Sequence, residues 1–528
     1  MKISHALLAM WMAGMASSPA LAQSEQPVRG GTLVIPVHFP DPPSFDCAAA
    51  GPSALFRISP HYSLLLRVDA ERYPEVKGEL AKSWTVSPDG LTLTFKLHPN
   101  VKFHDGSPLT STDVKVSLDR LRNPPPGVVS LRKAMFDDVE AIDTPDAQTL
   151  VVRLSKPNAA MLQQLAMPYA CIYSAKLLAS DPSYPTKKVM GSGPFKLERH
   201  VSGTEWVGTR FDDYFEPGKP YLDGFRALTV SSPAAINASM SGQVHYSLRA
   251  LTVSEVERIK AARGDTVKVV GQNNVTPVRI WVAFNTTRPP LNDVRVRRAL
   301  TLALDRWNGS KAMAGLTGIN VVGGMVRPGS TFARSTAELE KELGFGRNMA
   351  EARAEARRLL AEAGHPNLKL SLVNGQGYSF LGVYVADQLR QIGVTVDHQV
   401  VDNPQWYARR LSGEFDLTTE APPEYVDDPT VQFSMLTSYK NNPSNTTRAN
   451  DEQLDALYEA QMREVDPVKR RARVHELESY VLNQAYVMPL FWQNWTRVIS
   501  NEVGGVPDMP SNFLKMELSD VWLRPEKK

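Results

Sequence analysis

"SPDGLTLTFKLHPNVKFHDGSPLTSTDVKVSLDRL", residues 87–121, changes its period within one short stretch. Leu91, Leu93, Phe95 and Leu97 alternate with Thr92, Thr94, Lys96 and His98, the period of a strand with one buried face. "SPDG" (87–90) supplies the turn into it from a strand around Trp84. From Thr110 the period is helical. Asp113 stands three residues after Thr110, a close variant of the capping box, and Val114, Leu118 and Leu121 recur at helical spacing. "NPPPG" (123–127) ends the helix.

His104, Asp105 and Gly106 stand between the two periods. A catalytic His–Asp pair needs a nucleophile within reach and a geometry that aims both groups at one proton. Adjacent residues do not provide that geometry, and no nucleophile stands near them. Aspartate and glycine suit a tight turn, so "HDG" is expected to be scaffold.

The chain has 528 residues, 42% hydrophobic and 22% charged, enough for two or more domains. A net charge of +3 with scattered basic residues argues against nucleic acid as a partner. Lys2, the apolar "ALLAMWMAGMA" and the Ala-x-Ala end at Ala20 and Ala22 read as an export signal over residues 1–22. Cleavage after Ala22 would leave Gln23 first, and no cysteine follows to take a lipid. A soluble periplasmic protein is expected. Cys47 and Cys171 are the only cysteines. They suit either a disulfide or two separate buried thiols, but not a zinc site.

Further along, "GGTLVIPV" (30–37) reads as a buried strand, and "PDPPSFD" (40–46) as a loop. "LNDVRVRRALTLALDR" (291–306) reads as one helix capped at Asn292 or Asp293. "MAEARAEARRLLAEAG" (349–364) reads as a helix ending at Gly364. "LKLSLV" (368–373), "YVADQLRQIG" (384–393) and "VTVDHQVV" (394–401) follow as strand, helix and strand, which implies a parallel component. "YVMPLFWQNWTRVIS" (486–500) is strand-like. A secreted hydrolase would need a motif that is missing. "VHELES" (474–479) lacks the second histidine of HExxH, and "GSGPF" lacks GxSxG.

"ELAKSWTVSPDGLTLTFKLHPNVKFHDGSPLTSTDVKVSLDRL" (79–121), "MGSGPFKL" (190–197) and "VAFNTTRPPLNDVRVRRALTLALDR" (282–306) together resemble the family 5 extracellular solute-binding proteins. These are the dipeptide-, oligopeptide- and nickel-binding components of ABC importers. The resemblance implies an α/β fold: a two-lobed periplasmic-binding-protein clamp (type II, the large-family variant), with mixed sheets flanked by helices. Lobe I would run over 28–284, with an extra subdomain at about 73–188, and be completed by 489–528. Lobe II would be 285–488, with crossings near Phe284–Asn285 and Phe491.

The same resemblance implies no catalytic residues, no cofactor and no metal site. The partners would be a small-molecule or short-peptide ligand and a membrane permease, with the receptor a monomer. Peptide-like, other organic and metal-chelate solutes all stay open, as does a sensor role. The residues it places at the ligand are Ala50, Gly51, Pro52, Ser53, Met167, Tyr169, Asn374, Gln376, Tyr378, Pro423, Glu424, Tyr425, Asp428, Trp492 and Trp495. Peptide-binding members commonly carry an aspartate that meets the ligand's ammonium just before an Asp-Pro. In "EAPPEYVDDP" (420–429) Tyr425 falls at that place, and Glu424 or Asp427 reaches it only through a local shift.

Overall fold

The structure is a computed structural model that describes residues 26–247, 249–271, 275–422, 426–494, 496–506, 516 and 518–525. The export signal at 1–22, with Pro423, Glu424, Tyr425 and Trp495, lies outside the described residues.

Strand β1 (Thr32–Val37) opens the first lobe. Strands β2 (Ala81–Val86) and β3 (Thr92–Leu97) form the expected hairpin, with Gly90 at φ +72 in its turn. Helix α1 (Ser111–Arg122) follows, and the Thr110 N–H donates to the Asp113 carboxylate at 2.7 Å. Strands β4 (Val139–Asp146) and β5 (Thr149–Leu154) complete an antiparallel sheet in the order β2-β3-β5-β4. Strands β6 (Phe195–Val201), β7 (Glu205–Arg210) and β8 (Gly224–Thr229) then join β1 in a second sheet ordered β1-β8-β7-β6. One apolar cluster, from Leu33 to Ala227 with Ile499 and Val521, fills the space between these sheets.

The second lobe is a six-stranded mixed sheet. Its strands are β9 (Val275–Phe284), β10 (Ile319–Val321), β11 (Lys369–Gly375), β12 (Thr395–Val401), β13 (Leu417–Glu420) and β14 (Val487–Asn494), in the order β10-β14-β9-β13-β11-β12. Strand β11 pairs in parallel with β12 on one side and β13 on the other, and β9 runs antiparallel to both β13 and β14. Helix α2 (Ser379–Arg390) links β11 to β12, and α3 (Asn403–Ser412) links β12 to β13. The two links move across the sheet in opposite directions, so right-handed crossovers set the helices on opposite faces. Alternation along β11 matches this, with Leu372 in the cluster of α2 and Val373 packed with Trp406 of α3. Helices α4 (Glu452–Arg463) and α5 (Pro467–Gln484) cover the α3 side.

Three elements differ from the sequence reading. The single helix expected over 291–306 is two, Val294–Leu302 and Arg306–Ala314, because Asp293 caps the first and Asp305 caps the second. The helix expected from 384 begins at Ser379. The strand-like 486–500 segment is β14 and a separate strand, Arg497–Ser500, which pairs with Val267–Val270 in another sheet.

Candidate functional site

The direction of the strands locates the site. β9 enters the second lobe at Val275, beside Asn494 where β14 leaves it. β13 is antiparallel to β9, so its carboxyl end at Glu420 points back toward the first lobe, and β11 and β12 follow it. In open α/β sheets the ligand crevice lies outside the carboxyl ends of the strands, where crossovers diverge to opposite faces. Here that edge carries Gly375, Val401 and Glu420 and faces the other lobe.

Asn374, at the end of β11, is fully buried and donates from Nδ2 to the Tyr378 carbonyl at 2.8 Å. Its Oδ1 accepts from the Thr419 hydroxyl. These bonds shape the turn Gln376–Tyr378, leaving Gln376 exposed. Burial, with Tyr407 adding to it, pushes the Tyr378 phenol up to about 12, so it stays a neutral donor. On the other face the Trp406 indole donates to the Thr418 hydroxyl at 3.0 Å. The Arg410 guanidinium lies 5.4 Å from the Trp406 ring centre and 5.1 Å from that of Tyr407. Its Nη1 reaches Glu420 Oε2 at 2.8 Å. Burial raises the Glu420 carboxyl above the usual range, while Arg410 and the Thr446 hydroxyl pull it the other way. An aromatic pair followed by arginine at three- and four-residue spacing on a helix is legible in sequence, yet Trp406, Tyr407 and Arg410 were not singled out.

The first lobe offers a tightly held wall. Asp46 and Arg120 pair at 2.6 Å with both side chains almost fully buried. Asp46 also accepts from the Ala48 N–H and from the Tyr173 hydroxyl. Cys47 and Cys171 are joined by a disulfide, their Cα atoms 6.1 Å apart, which decides between the two readings of these cysteines. Arg132 Nη1 donates to the Ala50 carbonyl at 2.7 Å, and its guanidinium lies 3.6 Å from the centre of the Tyr169 ring. Arg132 therefore binds together two of the expected ligand segments, the one at Ala50–Gly51 and the one at Met167–Tyr169. Pro52 and Ser53 begin the helix Pro52–Ile58. A buried arginine among many surface arginines gives no sequence signal.

Several expected residues are committed elsewhere. Trp492 is 1% exposed, and its indole donates to the Gly324 carbonyl at 3.1 Å. Asp428 receives both Arg470 Nη groups, at 2.8 and 2.6 Å, and caps the helix Pro429–Ser434 through the Thr430 N–H. Asp427 is buried against Arg327 at 2.7 Å and accepts from Gln432 at 3.0 Å. A carboxylate already matched by a buried guanidinium has little to offer an incoming ammonium. Met167 and Tyr169 are likewise almost wholly buried. Away from this edge the lobes also touch where Arg463 meets Asp138 at 2.6 Å and the Ala159 N–H donates to the Met462 carbonyl.

"HDG" is a turn. Asp105 accepts from the Ser107 N–H and hydroxyl, and Gly106 has φ +86. His104 donates from Nε2 to the Gly193 carbonyl at 3.0 Å, and its Nδ1 accepts from the Gly191 N–H. Burial lowers the ring to about 4 and keeps it neutral. A Cβ at Gly193 would fall 2.5 Å from the His61 backbone carbon, so "MGSGPF" needs glycine there. Among the described residues, no three His, Cys, Asp or Glu side chains are placed to share a metal, and no helix is long and apolar enough to cross a membrane.

Comparison with known proteins agrees with this architecture. A Brucella ovis protein, provisionally named an ABC transporter peptide-binding protein, is 26% identical over 499 residues, covering 89% of this chain and 88% of that one. The Agrobacterium binding protein AgaA, solved with agropinic acid, is similar at TM-score 0.78 and 25% identity, covering 94% of this chain and 99% of that one. The ABC transporter-associated periplasmic binding protein DppA of Helicobacter pylori, solved with the peptide STSA, gives a TM-score of 0.79 at 21% identity, with 94% and 99% covered. At that identity the likeness speaks for the fold, a two-lobed α/β clamp. The model of the bacterial extracellular solute-binding proteins, family 5, matches residues 75–444, and the chain belongs to that family.

Proposed function

We propose that this protein is an exported receptor that captures a peptide or peptide-like solute between its lobes and delivers it to the membrane permease of an ABC importer. One observation carries the reading. The carboxyl ends of three parallel strands, with Tyr378, Trp406 and Arg410 around them, face a first-lobe wall already fixed by a disulfide and two buried arginines. In a receptor of this kind closure is driven by the solute's differential affinity for the closed state. No step of chemistry is assigned to it, and it acts as a monomer in the periplasm after removal of residues 1–22.

The solute contacts we assign are Ala50, Gly51, Pro52, Ser53, Gln376, Tyr378, Pro423, Glu424 and Tyr425, together with Trp406 and Arg410. Met167, Tyr169 and Asn374 shape the walls behind them. Because β9 and β14 pair inside the second sheet along their length, we place that lobe at 275–494. Asp427 and Asp428 are held in ion pairs, so a free α-ammonium has no ready counter-charge from them.

Calorimetry with di- and tripeptides beside their N-acetylated copies tests the reading. Binding that tolerates acetylation, and that weakens more in Tyr425→Ala than in Asp427→Ala once folding is confirmed, is the expected result. Strong binding by free peptides alone would assign an ammonium anchor, with Glu424 the group to substitute next. Silence toward every peptide would leave only a non-peptide solute.

A further inference from the structure

We propose that Trp281 and Glu420 together recognise a solute group that both accepts and donates a hydrogen bond: a hydroxyl or a carboxamide. The inference rests on the solute-receptor reading above and names the chemistry received at its second-lobe edge. The two residues are direct register partners across the β9–β13 ladder. Directly opposed residues place their side chains on one face, with Cβ atoms about 5 Å apart. Trp281 is 1% exposed and Glu420 is 0% exposed.

Their polar atoms stand apart from their neighbours'. Thr418, Thr419, Asn374 and Trp406 are all engaged in hydrogen bonds along the same edge. Glu420 Oε2 is held by Arg410, whereas Oε1 has no hydrogen-bond partner, and neither has the indole Nε1 of Trp281. The Thr446 hydroxyl also hydrogen-bonds the carboxylate, yet Oε1 keeps no partner of its own. A buried donor or acceptor left unmatched costs about 1–3 kcal/mol, more when charged. Two such atoms of opposite character, on directly opposed residues of neighbouring strands, point to one occupant that completes both.

The occupant's chemistry follows from what each atom can do. An indole N–H only donates and a carboxylate only accepts. A hydroxyl accepts from Trp281 and donates to Glu420 at once. A carboxamide does the same with its carbonyl and its NH2. An ammonium has only donors, leaving the indole unmatched, and it would sit beside the Arg410 guanidinium. A carboxylate would be repelled by Glu420. Sites built to hydrogen-bond a hydroxyl reject analogues lacking it by large factors, so this pair would set selectivity rather than bulk affinity.

The test uses the full exported chain, freed of bound solutes by reversible unfolding. It is incubated with the desalted small-molecule extract of the bacterium that encodes it, and retained masses are identified after gel filtration. Wild type is compared with Trp281→Phe and Glu420→Gln, each with a melting curve. The expected result is retention of a solute bearing a hydroxyl or carboxamide, reduced at least tenfold in both variants. Should Glu420→Gln fail to fold, Trp281→Phe alone decides, since it removes the donor and keeps an aromatic ring. Equal retention by wild type and variants overturns the inference and assigns an internal water to the pair, leaving the receptor reading intact. A retained solute without hydroxyl or carboxamide overturns it too. A wild type that retains nothing overturns the receptor reading, and the inference with it.

Discussion

The two sides of the crevice are built on opposite principles. The first-lobe wall around 46–51 has its groups engaged inside the protein: Asp46 by Arg120 and the Ala50 carbonyl by Arg132, with Cys47 bonded to Cys171. The second-lobe edge ends three strands in a row and keeps unmatched polar atoms at Trp281 and Glu420, with Tyr407 half exposed beside them. A wall whose groups are satisfied internally can define shape but holds little chemistry in reserve. An edge with unsatisfied atoms can discriminate, and costs stability to keep. On the proposed reading, the contrast separates a rigid wall from a selective edge.

The largest expected effect breaks the wall. Arg120→Ala leaves Asp46 buried and uncompensated, and a loss of about 3–5 kcal/mol in urea unfolding is expected. The matching change on the other side, Arg410→Ala, should cost clearly less. Arg410 is 21% exposed, and the Glu420 carboxyl, already raised by burial, can take up a proton instead. Equal losses from the two substitutions would erase the contrast.

Removing the disulfide sharpens it. Cys47 and Cys171 close a loop of 124 residues, and the double change to serine should lower stability by about 2–4 kcal/mol. Hydrogen exchange should rise around 46–51 and 167–173 while β11–β13 stay as protected as before. Faster exchange at β11–β13 would mean that the wall and the edge are one unit.

The smallest effect concerns the turn with which the chain's α/β reading began. His104 is depressed from the usual imidazole range to about 4 in the fold by burial, against an ordinary value near 6.5. A depressed histidine stabilises the fold above its unfolded value, and the contribution is lost as pH falls from about 6.5 through 4. His104→Ala should therefore flatten the acid side of the melting profile in that window while changing solute affinity less than tenfold. An affinity loss beyond tenfold, with melting intact, would move "HDG" from scaffold to site.

Much of the first lobe was legible in sequence. The β2–β3 hairpin, the Thr110–Asp113 cap and the "HDG" turn all rest on contacts within a few residues, which local spacing displays. The same locality explains the failure at 291–306. The apolar stripe continued through Leu304, but the first helix ends at Leu302 and Asp305 caps another, and periodicity alone does not show a cap in mid-pattern. Near 423–429, sequence singled out Asp427 and Asp428 but not Arg327 and Arg470, the arginines that pair with them.

By itself the sequence determined the family, the α/β alternation and two of the three strands at the second-lobe edge, β11 and β12 but not β13, since each is written in spacing of two to four residues or in long characteristic blocks. Only the tertiary structure decided what those positions can do. The Cys47–Cys171 bond joins residues 124 apart. Arg120 meets Asp46 across 74 positions, and Trp281 meets Glu420 through strand register. Each depends on where distant segments come to rest, and a buried charge or donor takes its meaning from whatever partner the fold sets against it.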